Sequence, residues 1–425
     1  MSKSPSPYSF SAWKSLGPVA RQLITVRLLR SIAQGALAVD FTLYLSARHW
    51  NAPEIGLLLM GGGLFGALLS VIVGVTSDRF GRRGFLLVYE TGLVIGTAAV
   101  VLAPSTWVIV LVAAIFGFGR GANGSSGPFA PAEQAWLAQV LPTARRGTVF
   151  SLNAGLQFFG MGVGSLSAAA LPHLIPGAGG AAAYLPLFLL NLLVAVVNLG
   201  QIWSLREMPP GLAESRPPAA AGSVAEEAVT KRENRALASL TIVNMVNSLG
   251  VGLVAPLMPY WFSVRFGVGP EAIGPVYALT FFLTGASSLV IGRVSERIGL
   301  IRSIVLPRMV GVALLVAIPF MPSFAFAAVL YVLRSVLNRG SVGARQAFSV
   351  GLVRDRRRGL ASSLNAVSWS LPASIGPAVG GWLIGSGAMF WPFLLASALQ
   401  LGYVVLFPKV MGRYETRSAG ARDTA

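Results

Sequence analysis

The feature that most constrains this chain is a series of long apolar runs that carry almost no charge. Most of them reach the roughly 20 residues that a helix needs to cross the hydrocarbon core of a membrane. They do not alternate polar with apolar residues, and they are much longer than the roughly 10 residues of a barrel strand. Because backbone polar groups find no water in lipid, we predict that these runs are transmembrane helices.

Composition supports a membrane protein. Only 11% of the residues are charged, whereas soluble domains carry roughly 25%. A formal net charge of +18 would suggest nucleic acid as a partner of a soluble protein. Here we attribute it to the Lys and Arg that collect in cytoplasmic loops, and we expect no nucleic-acid partner. The chain has no cysteine, which excludes a disulfide framework and a thiolate metal site.

The runs predict about twelve spans in two sets of six. The first set covers residues 22–47, 54–75, 84–103, 107–138, 147–171 and 183–204, and the second covers 236–262, 271–292, 303–321, 323–350, 359–386 and 389–408. The predicted fold is therefore all-α and polytopic. Its parts are an N-terminal six-helix bundle (1–204), a flexible cytoplasmic linker (205–235), a C-terminal six-helix bundle (236–413) and a cytoplasmic tail (414–425).

The distribution of basic residues predicts the orientation. With the N-terminus inside, the predicted cytoplasmic segments hold about 24 Lys and Arg residues, while the outer segments hold Arg48 and Arg265. We therefore expect a multi-pass protein of the inner membrane with both termini in the cytoplasm. The first apolar run is too long for a signal peptide, and we expect it to be retained as the first span.

An internal repeat relates the two halves. Arg146-Gly147 followed by Ser151-Leu152-Asn153 matches Arg358-Gly359 followed by Ser363-Leu364-Asn365 at the same offset. Parallel repeats of this kind predict a pseudo-two-fold relation, with a binding site between the bundles near the midplane of the membrane. We expect two such bundles to work by alternating access.

A motif between the second and third spans resembles the cytoplasmic signature of the major facilitator superfamily, and the resemblance extends over nearly the whole chain. The motif comprises Gly74, Asp78, Arg79, Gly81, Arg82 and Arg83, and a degenerate copy in the second half comprises Gly292, Glu296, Arg297 and Gly299. The resemblance implies a cytoplasmic gate that latches the outward-open state. We expect the arginines to pair with carboxylates of nearby helices, with Glu133 as the candidate partner.

Two further motifs carry the same resemblance, most nearly to drug/proton antiporters with twelve helices. Arg120 and Asn123 resemble the fourth-helix motif of that family. Small residues predict close helix packing at Gly160 and Gly164 and at Gly376, Pro377, Gly380 and Gly381. The Gly-Pro-x-x-Gly-Gly core that the antiporters carry in the fifth helix stands here in the eleventh, and Ser165 replaces the proline in the fifth.

Charged residues inside the spans are the candidates for function, because an intramembrane charge is costly. Asp40, Glu90 and Arg120 are candidates for proton coupling. Arg27, Arg339 and Arg345 are expected near helix ends, where long side chains reach the interface. The substrate-cavity candidates are Arg30, Tyr44, Asn123, Tyr260, Trp261, Arg334, Asn338 and Trp369. For the aromatic residues among them, packing and a place at the interface are alternative roles.

Three functions are compatible with these features. The first is proton-coupled export of amphipathic or lipophilic molecules. The second is a carrier of a small organic anion, favoured by the excess of deep arginines over carboxylates. The third is a membrane sensor or scaffold, which the short loops disfavour. We find no phosphate-cradling loop and expect no enzyme activity, metal or cofactor, with a proton gradient as the energy source. We expect the protein to be a monomer. Its expected partners are a small-molecule substrate, protons and membrane lipids.

Overall fold

A computed structural model of the chain describes residues 16–119, 130–207, 224–340, 345, 348–349, 352–354 and 357–420. Within these residues the regular structure is helical, and they contain no strand. The α-helices are α1 (Pro18–Ala47), α2 (Ala52–Phe80), α3 (Arg82–Leu102), α4 (Thr106–Phe116), α5 (Ala130–Val140), α6 (Thr143–Ala170), α7 (Leu185–Ser204), α8 (Val224–Val254), α9 (Met258–Phe266), α10 (Pro270–Ile298), α11 (Leu300–Ala317), α12 (Phe324–Gly340), α13 (Arg358–Gly385) and α14 (Trp391–Gly420).

Each of the predicted spans coincides with one or two of these helices. Seven segments of the described chain are both long and apolar enough to cross a membrane, namely Ala52–Val73, Arg82–Leu102, Thr148–His173, Gly180–Ser204, Val229–Phe266, Ile301–Phe320 and Trp391–Gly412. Other helices mix apolar residues with charges, as α1 does with Arg30 and Asp40. The protein is therefore a polytopic all-α membrane protein, as the apolar runs predict.

The fourth span, predicted over residues 107–138 and loosened by Gly124, Gly127, Pro128 and Pro131, is interrupted earlier, after Phe116. Helix α4 ends at Phe116, and Gly117 and Gly119 follow with φ of 71° and 79°. A positive φ is open to glycine at little cost and is a common way to end a helix. The next described helix, α5, begins at Ala130.

The seventh span also differs from its prediction. Helix α8 begins at Val224, inside the predicted linker, where a short surface helix around residues 225–232 was the alternative to a flexible chain, and it continues into the span without a break. It ends at Val254, and a 3₁₀ turn over Ala255–Leu257 leads into α9. Pro256 stands in that turn, where its missing N–H interrupts the helical hydrogen bonds.

The two cytoplasmic motifs share one backbone feature. Helix α2 continues to Phe80 and α3 begins at Arg82, so the turn is confined to Gly81 with φ of 87°. Gly299 makes the equivalent turn between α10 and α11 with φ of 85°. The first motif is therefore mostly helical rather than a loop, and glycine is needed where the chain reverses.

Contacts group the described residues into two units. Unit 1 lies within residues 1–50, 65–212 and 262–285, and unit 2 lies within 51–64, 213–261 and 286–425. Two segments depart from the predicted bundles. The start of α2 belongs with α13, where a Cβ built on Gly56 would collide with the Pro377 carbonyl oxygen. Residues 262–285 belong with α6, where the Ser165 oxygen lies 2.6 Å from a Cβ built on Gly274.

Glycines allow helices to touch in both units. In unit 1, a Cβ on Gly164 would collide with the Ile32 carbonyl oxygen of α1. In unit 2, a Cβ on Gly380 would collide with the Leu253 oxygen of α8. The other predicted packing positions are also close to neighbouring backbone, with Gly160 against α1, Gly376 against α8 and Gly381 against α2. A side chain at these positions would force the helices apart.

Candidate functional site

Helix α1 carries two buried arginines that take part in a neutral charge network in unit 1. Arg30 donates from Nε and Nη2 to Glu90 Oε1, at 3.1 and 2.5 Å, and from Nη1 to Glu133 Oε2 at 2.5 Å. Arg27 donates to Gln157 at 2.6 Å and lies 3.6 Å from Glu133. Two positive and two negative charges thus meet in the interior, where charges must be paired to be tolerated.

This network bears on three predictions. Glu133 was the candidate partner of the arginines in the predicted cytoplasmic motif, and its ion pairs among the described residues are with Arg27 and Arg30. Arg27 was expected near a helix end, but its side chain is buried. Arg30, a predicted substrate-cavity residue, pairs with two carboxylates and also lines a pocket of unit 1. Glu90 keeps one buried carboxylate oxygen, Oε2, for which the described residues supply no hydrogen-bond partner.

The described part of the cytoplasmic motif has a different acidic partner. Glu207 accepts the backbone N–H groups of Arg82 and Arg83 at 2.9 and 2.8 Å. A carboxylate at this point caps the positive N-terminal end of α3. The guanidinium of Arg82 donates to the Ala135 carbonyl and to Gln139, and that of Arg83 donates to the Trp203 carbonyl. The motif therefore joins α3 to α5 and to the end of α7 within unit 1.

Asp40 lies on α1 about 10 Å from its C-terminal end by helical rise. Its side chain is fully buried, and neither carboxylate oxygen has a hydrogen-bond partner among the described residues. Glu271 at the start of α10 and Tyr184 before α7 are close enough to interact with it electrostatically. A carboxylate in this position has no counter-charge in the described chain, so binding a proton would remove the cost of its burial.

A pocket in unit 1 borders the paired arginine. It is lined by helices α1, α3 and α7 and by the turn after α4, and its polar lining comprises Arg30, Gln34, Tyr89, Asn191 and Asn198. Asn198 is fully buried, and neither atom of its amide has a partner in the described part of the chain. Unsatisfied polar groups of this kind commonly bind water.

Two of the four aromatic cavity candidates are packed against neighbouring rings. Tyr44 is buried against Phe188, with ring centroids 4.8 Å apart. Trp261 is buried against Phe393 at 4.6 Å and donates from Nε1 to the Met389 carbonyl. Tyr260 and Trp369 are half-buried. Packing on neighbouring rings, the alternative role for such residues, therefore describes Tyr44 and Trp261.

Unit 2 contains a second group of buried arginines. Arg334 donates from Nη2 to Gln400 at 3.4 Å, and Arg308 donates from Nη1 to Asn247 at 2.5 Å. The guanidinium carbon of Arg308 lies 4.8 Å from the Tyr403 ring centroid, and that of Arg345 lies 4.4 Å from the centroid of Trp369. Within the described residues, none of these three arginines forms an ion pair with a carboxylate.

The second group corrects the prediction for Arg345 and adds neighbours to the predicted cavity residues Arg334 and Asn338. Arg345 was expected near a helix end, but its side chain is buried. Asn338 lies one turn after Arg334 on α12, and its Oδ1 is 2.6 Å from a Cβ built on Gly311 of α11. Sequence reasoning selected Arg334 but missed its partner Gln400 and the partners of Arg308, which are Asn247 and Tyr403. These residues lie on helices far apart in sequence from α12.

Several predicted site residues cannot be placed. Arg120 and Asn123 lie outside the described residues. For Gly74, Asp78 and Arg79 in α2, and for Gly292, Glu296 and Arg297 in α10, the described part includes the helical backbone and not the surroundings of each residue. In the described residues, no three His, Asp or Glu side chains are grouped as metal ligands would be.

The family model of the Major Facilitator Superfamily matches residues 23–238 and 240–424. The chain belongs to the Major Facilitator Superfamily. Its members are transporters, so this protein is a secondary transporter and not an enzyme.

Curated relatives and solved structures agree with this assignment. The uncharacterized membrane protein YJR124C of Saccharomyces cerevisiae is 20% identical over 93% of this chain and 94% of its own. The uncharacterized MFS-type transporter YdeE of Escherichia coli is 26% identical over 33% of this chain and 35% of its own. The solved nucleoside transporter NupG has a TM-score of 0.69 at 13% identity, covering 93% of this chain and 99% of that one. At that identity the likeness shows the fold alone.

Proposed function

We propose that this superfamily member is a proton-coupled secondary transporter in which Asp40 is the coupling acid. The observation that carries the proposal is the fully buried carboxyl group of Asp40, which has no hydrogen-bond partner among the described residues. A carboxyl in this state can bind a proton that enters from one side and release it to the other. Buried carboxylates in transporters commonly form such proton relays.

Glu90 and Arg120 were the other coupling candidates. Glu90 accepts two hydrogen bonds from Arg30, so a proton on Glu90 would break a buried ion pair. Asp40 has no such pair to break within the described part of the chain. The geometry therefore favours Asp40 over Glu90, while Arg120 stays a sequence prediction.

The class of transported compound and the direction of transport are also part of this proposal. Export of amphipathic molecules is our first hypothesis from the antiporter-like motifs, but the packing of Tyr44 and Trp261 weakens its support. The alternative, a small organic anion, gains support from Arg308 and Arg334 of unit 2, which donate to amides and have no carboxylate partner among the described residues. Among the relatives, one is a D-xylose transporter of Levilactobacillus brevis, 36% identical over 21% of this chain and 18% of its own.

We further propose that the chain works as a monomer in the inner membrane with both termini in the cytoplasm. Support comes from the basic residues, about 24 of which fall in the predicted inner segments. Reporter fusions after residues 204, 321 and 413 would test this orientation. We expect the fusions after 204 and 413 to report from the cytoplasm and the one after 321 from the other side.

Proton coupling can be tested in everted membrane vesicles with an imposed pH gradient and a fluorescent pH probe. Tetraphenylphosphonium, succinate and inorganic phosphate would be added in turn to vesicles that contain the wild-type chain. We expect one class of compound to dissipate the gradient, and Asp40→Asn to abolish that response.

The matched control is Glu54→Gln, because Glu54 is an exposed carboxylate that caps the start of α2 through Asn51. We expect Glu54→Gln to respond as the wild type does. Equal responses of Asp40→Asn and the wild type would overturn the assignment of Asp40. Equal accumulation of all three compounds with and without the protein would instead favour a sensor or scaffold.

A further inference from the structure

We infer that Arg308, Arg334 and Arg345 in unit 2 form a binding site for the carboxylate or phosphate group of a small organic anion. The residues come from α11, α12 and the segment that follows α12. All three side chains are buried, and the charge of Arg308 acts on both of the others. Three cations therefore share one interior region.

The described residues do not balance the charge of this group. None of the three arginines has a carboxylate partner in the described residues, and Asp355 is the sole acidic residue between Leu300 and Arg413 in the sequence. That aspartate stands in the predicted cytoplasmic segment before α13. Burying an unpaired charge is costly, and three of them in one region repel one another. A bound anion would supply the missing counter-charge.

Five of the unsatisfied buried atoms around the arginines are nitrogen donors. The Nε atoms of Arg308, Arg334 and Arg345 are buried without a hydrogen-bond partner in the described chain. So are the amide nitrogens of Asn247 and Gln400, whose oxygens already accept from Arg308 and Arg334. Five buried N–H donors that lack acceptors match a ligand rich in acceptor oxygens.

The surrounding residues hold the guanidinium groups in place. Tyr403 and Gln400 stand one turn apart on α14, and they contact Arg308 and Arg334 respectively. Trp369 of α13 lies against Arg345. Planar guanidinium groups fixed in this way can donate two parallel hydrogen bonds to a carboxylate or phosphate. Lysine offers a point charge without that geometry, and it is absent from this group.

This inference names the substrate class of the transporter and so rests on the proposed function, although binding itself can be measured without transport. The anion is expected to be a small solute that enters from water. An anionic lipid headgroup shares the chemistry, and the experiment separates the two sources.

Binding can be measured on the full chain in phosphatidylcholine nanodiscs, from the midpoint of thermal unfolding at constant ionic strength. Sodium succinate and inorganic phosphate would replace sodium chloride stepwise. We expect at least one of the two to raise the midpoint in a saturable way, because a ligand that binds the folded state stabilises it. Choline chloride is expected to leave the midpoint unchanged.

Variants connect the effect to the site. We expect Arg334→Gln and Arg308→Gln to weaken the apparent affinity by about tenfold or more, since each removes a charge-assisted hydrogen bond. Arg334→Lys is expected to restore part of the affinity. The matched control is Arg302→Gln, because Arg302 is an exposed arginine on the same helix as Arg308. It is expected to bind as the wild type does.

Several outcomes would overturn the inference. One is a midpoint of thermal unfolding in the wild type that does not change with succinate or phosphate. Another is a loss of affinity in Arg302→Gln as large as that in Arg308→Gln and Arg334→Gln. Stabilisation by chloride to the same extent as by succinate and phosphate would contradict the substrate class. Stabilisation by phosphatidylglycerol in the nanodisc, without any effect of the soluble anions, would assign the site to lipid.

The two proposals fail separately. If the anions bind and Asp40→Asn still moves protons, the coupling role of Asp40 fails while the anion site stands. If Asp40→Asn abolishes proton movement and the midpoint of thermal unfolding does not change with any anion, the anion site fails while the coupling role of Asp40 stands.

Discussion

Two groups of buried arginines, one in each unit, differ in what surrounds the charge. In unit 1, Arg30 contacts two carboxylates, and Arg27 lies beside one of them. In unit 2, Arg308, Arg334 and Arg345 contact amides and aromatic rings. The first group is neutral within itself, whereas the second carries an excess of positive charge among the described residues.

The difference shows that the presence of an arginine inside a membrane does not by itself indicate its role. A guanidinium with its carboxylates in place is a structural connection between helices, and removing it leaves those carboxylates uncompensated. A buried guanidinium without a carboxylate costs folding free energy. The same residue type therefore predicts opposite responses to mutation in the two units.

The largest effect is expected from Arg30→Gln. The variant leaves Glu90 and Glu133 buried without Arg30, so we expect a loss of about 3–5 kcal/mol of unfolding free energy. Thermal unfolding in detergent, with expression level as a second measure, would show it. A midpoint equal to that of the wild type would mean that the network of unit 1 is not a structural connection.

A smaller effect of opposite sign is expected from Arg334→Met. Methionine fills a similar volume and removes a buried charge whose Nε has no partner in the described chain. The variant also removes the long hydrogen bond of 3.4 Å to Gln400. Because relief of the buried charge should outweigh that loss, we expect a net gain of about 1–3 kcal/mol in the absence of any added anion. A loss as large as that of Arg30→Gln would show that Arg334 has a counter-charge after all.

The pairing in unit 1 can be isolated with a double-mutant cycle on Arg30 and Glu90. Glu90→Gln alone and Arg30→Gln alone should each destabilise the fold, and the double variant should lose less than the sum. We expect a coupling energy of about 1–3 kcal/mol, typical of residues in one ion-pair network. Strict additivity of the two losses would contradict the direct contact.

The smallest effect is expected from Trp369→Leu, which removes the ring beside Arg345. Loss of the cation–π contact should change the unfolding free energy by about 0.5–2 kcal/mol. Trp382→Leu is the matched control, because Trp382 is an exposed tryptophan on the same helix. If the two variants lose equal stability, the contact with Arg345 contributes nothing.

Sequence patterns predicted much of the fold and part of the site. Apolar runs located the helices because lipid leaves a chain few ways to satisfy its backbone. The motif glycines Gly81 and Gly299 marked two equivalent turns, since each adopts a positive φ. The break after Phe116 was missed, although Gly117 and Gly119 were visible, because a long apolar run looks continuous whether or not a turn interrupts it.

By itself, the sequence determined a polytopic helical membrane protein with a repeated half, because hydropathy and repeats depend on neighbours along the chain. It also showed that arginines outnumber carboxylates in the spans. Only the tertiary structure decided which arginines are neutralised. Arg30 finds Glu90 and Glu133 from α3 and α5, while Arg334 finds Gln400 from α14. Those pairings depend on how helices far apart in sequence are packed, and charge interactions act through space rather than along the chain.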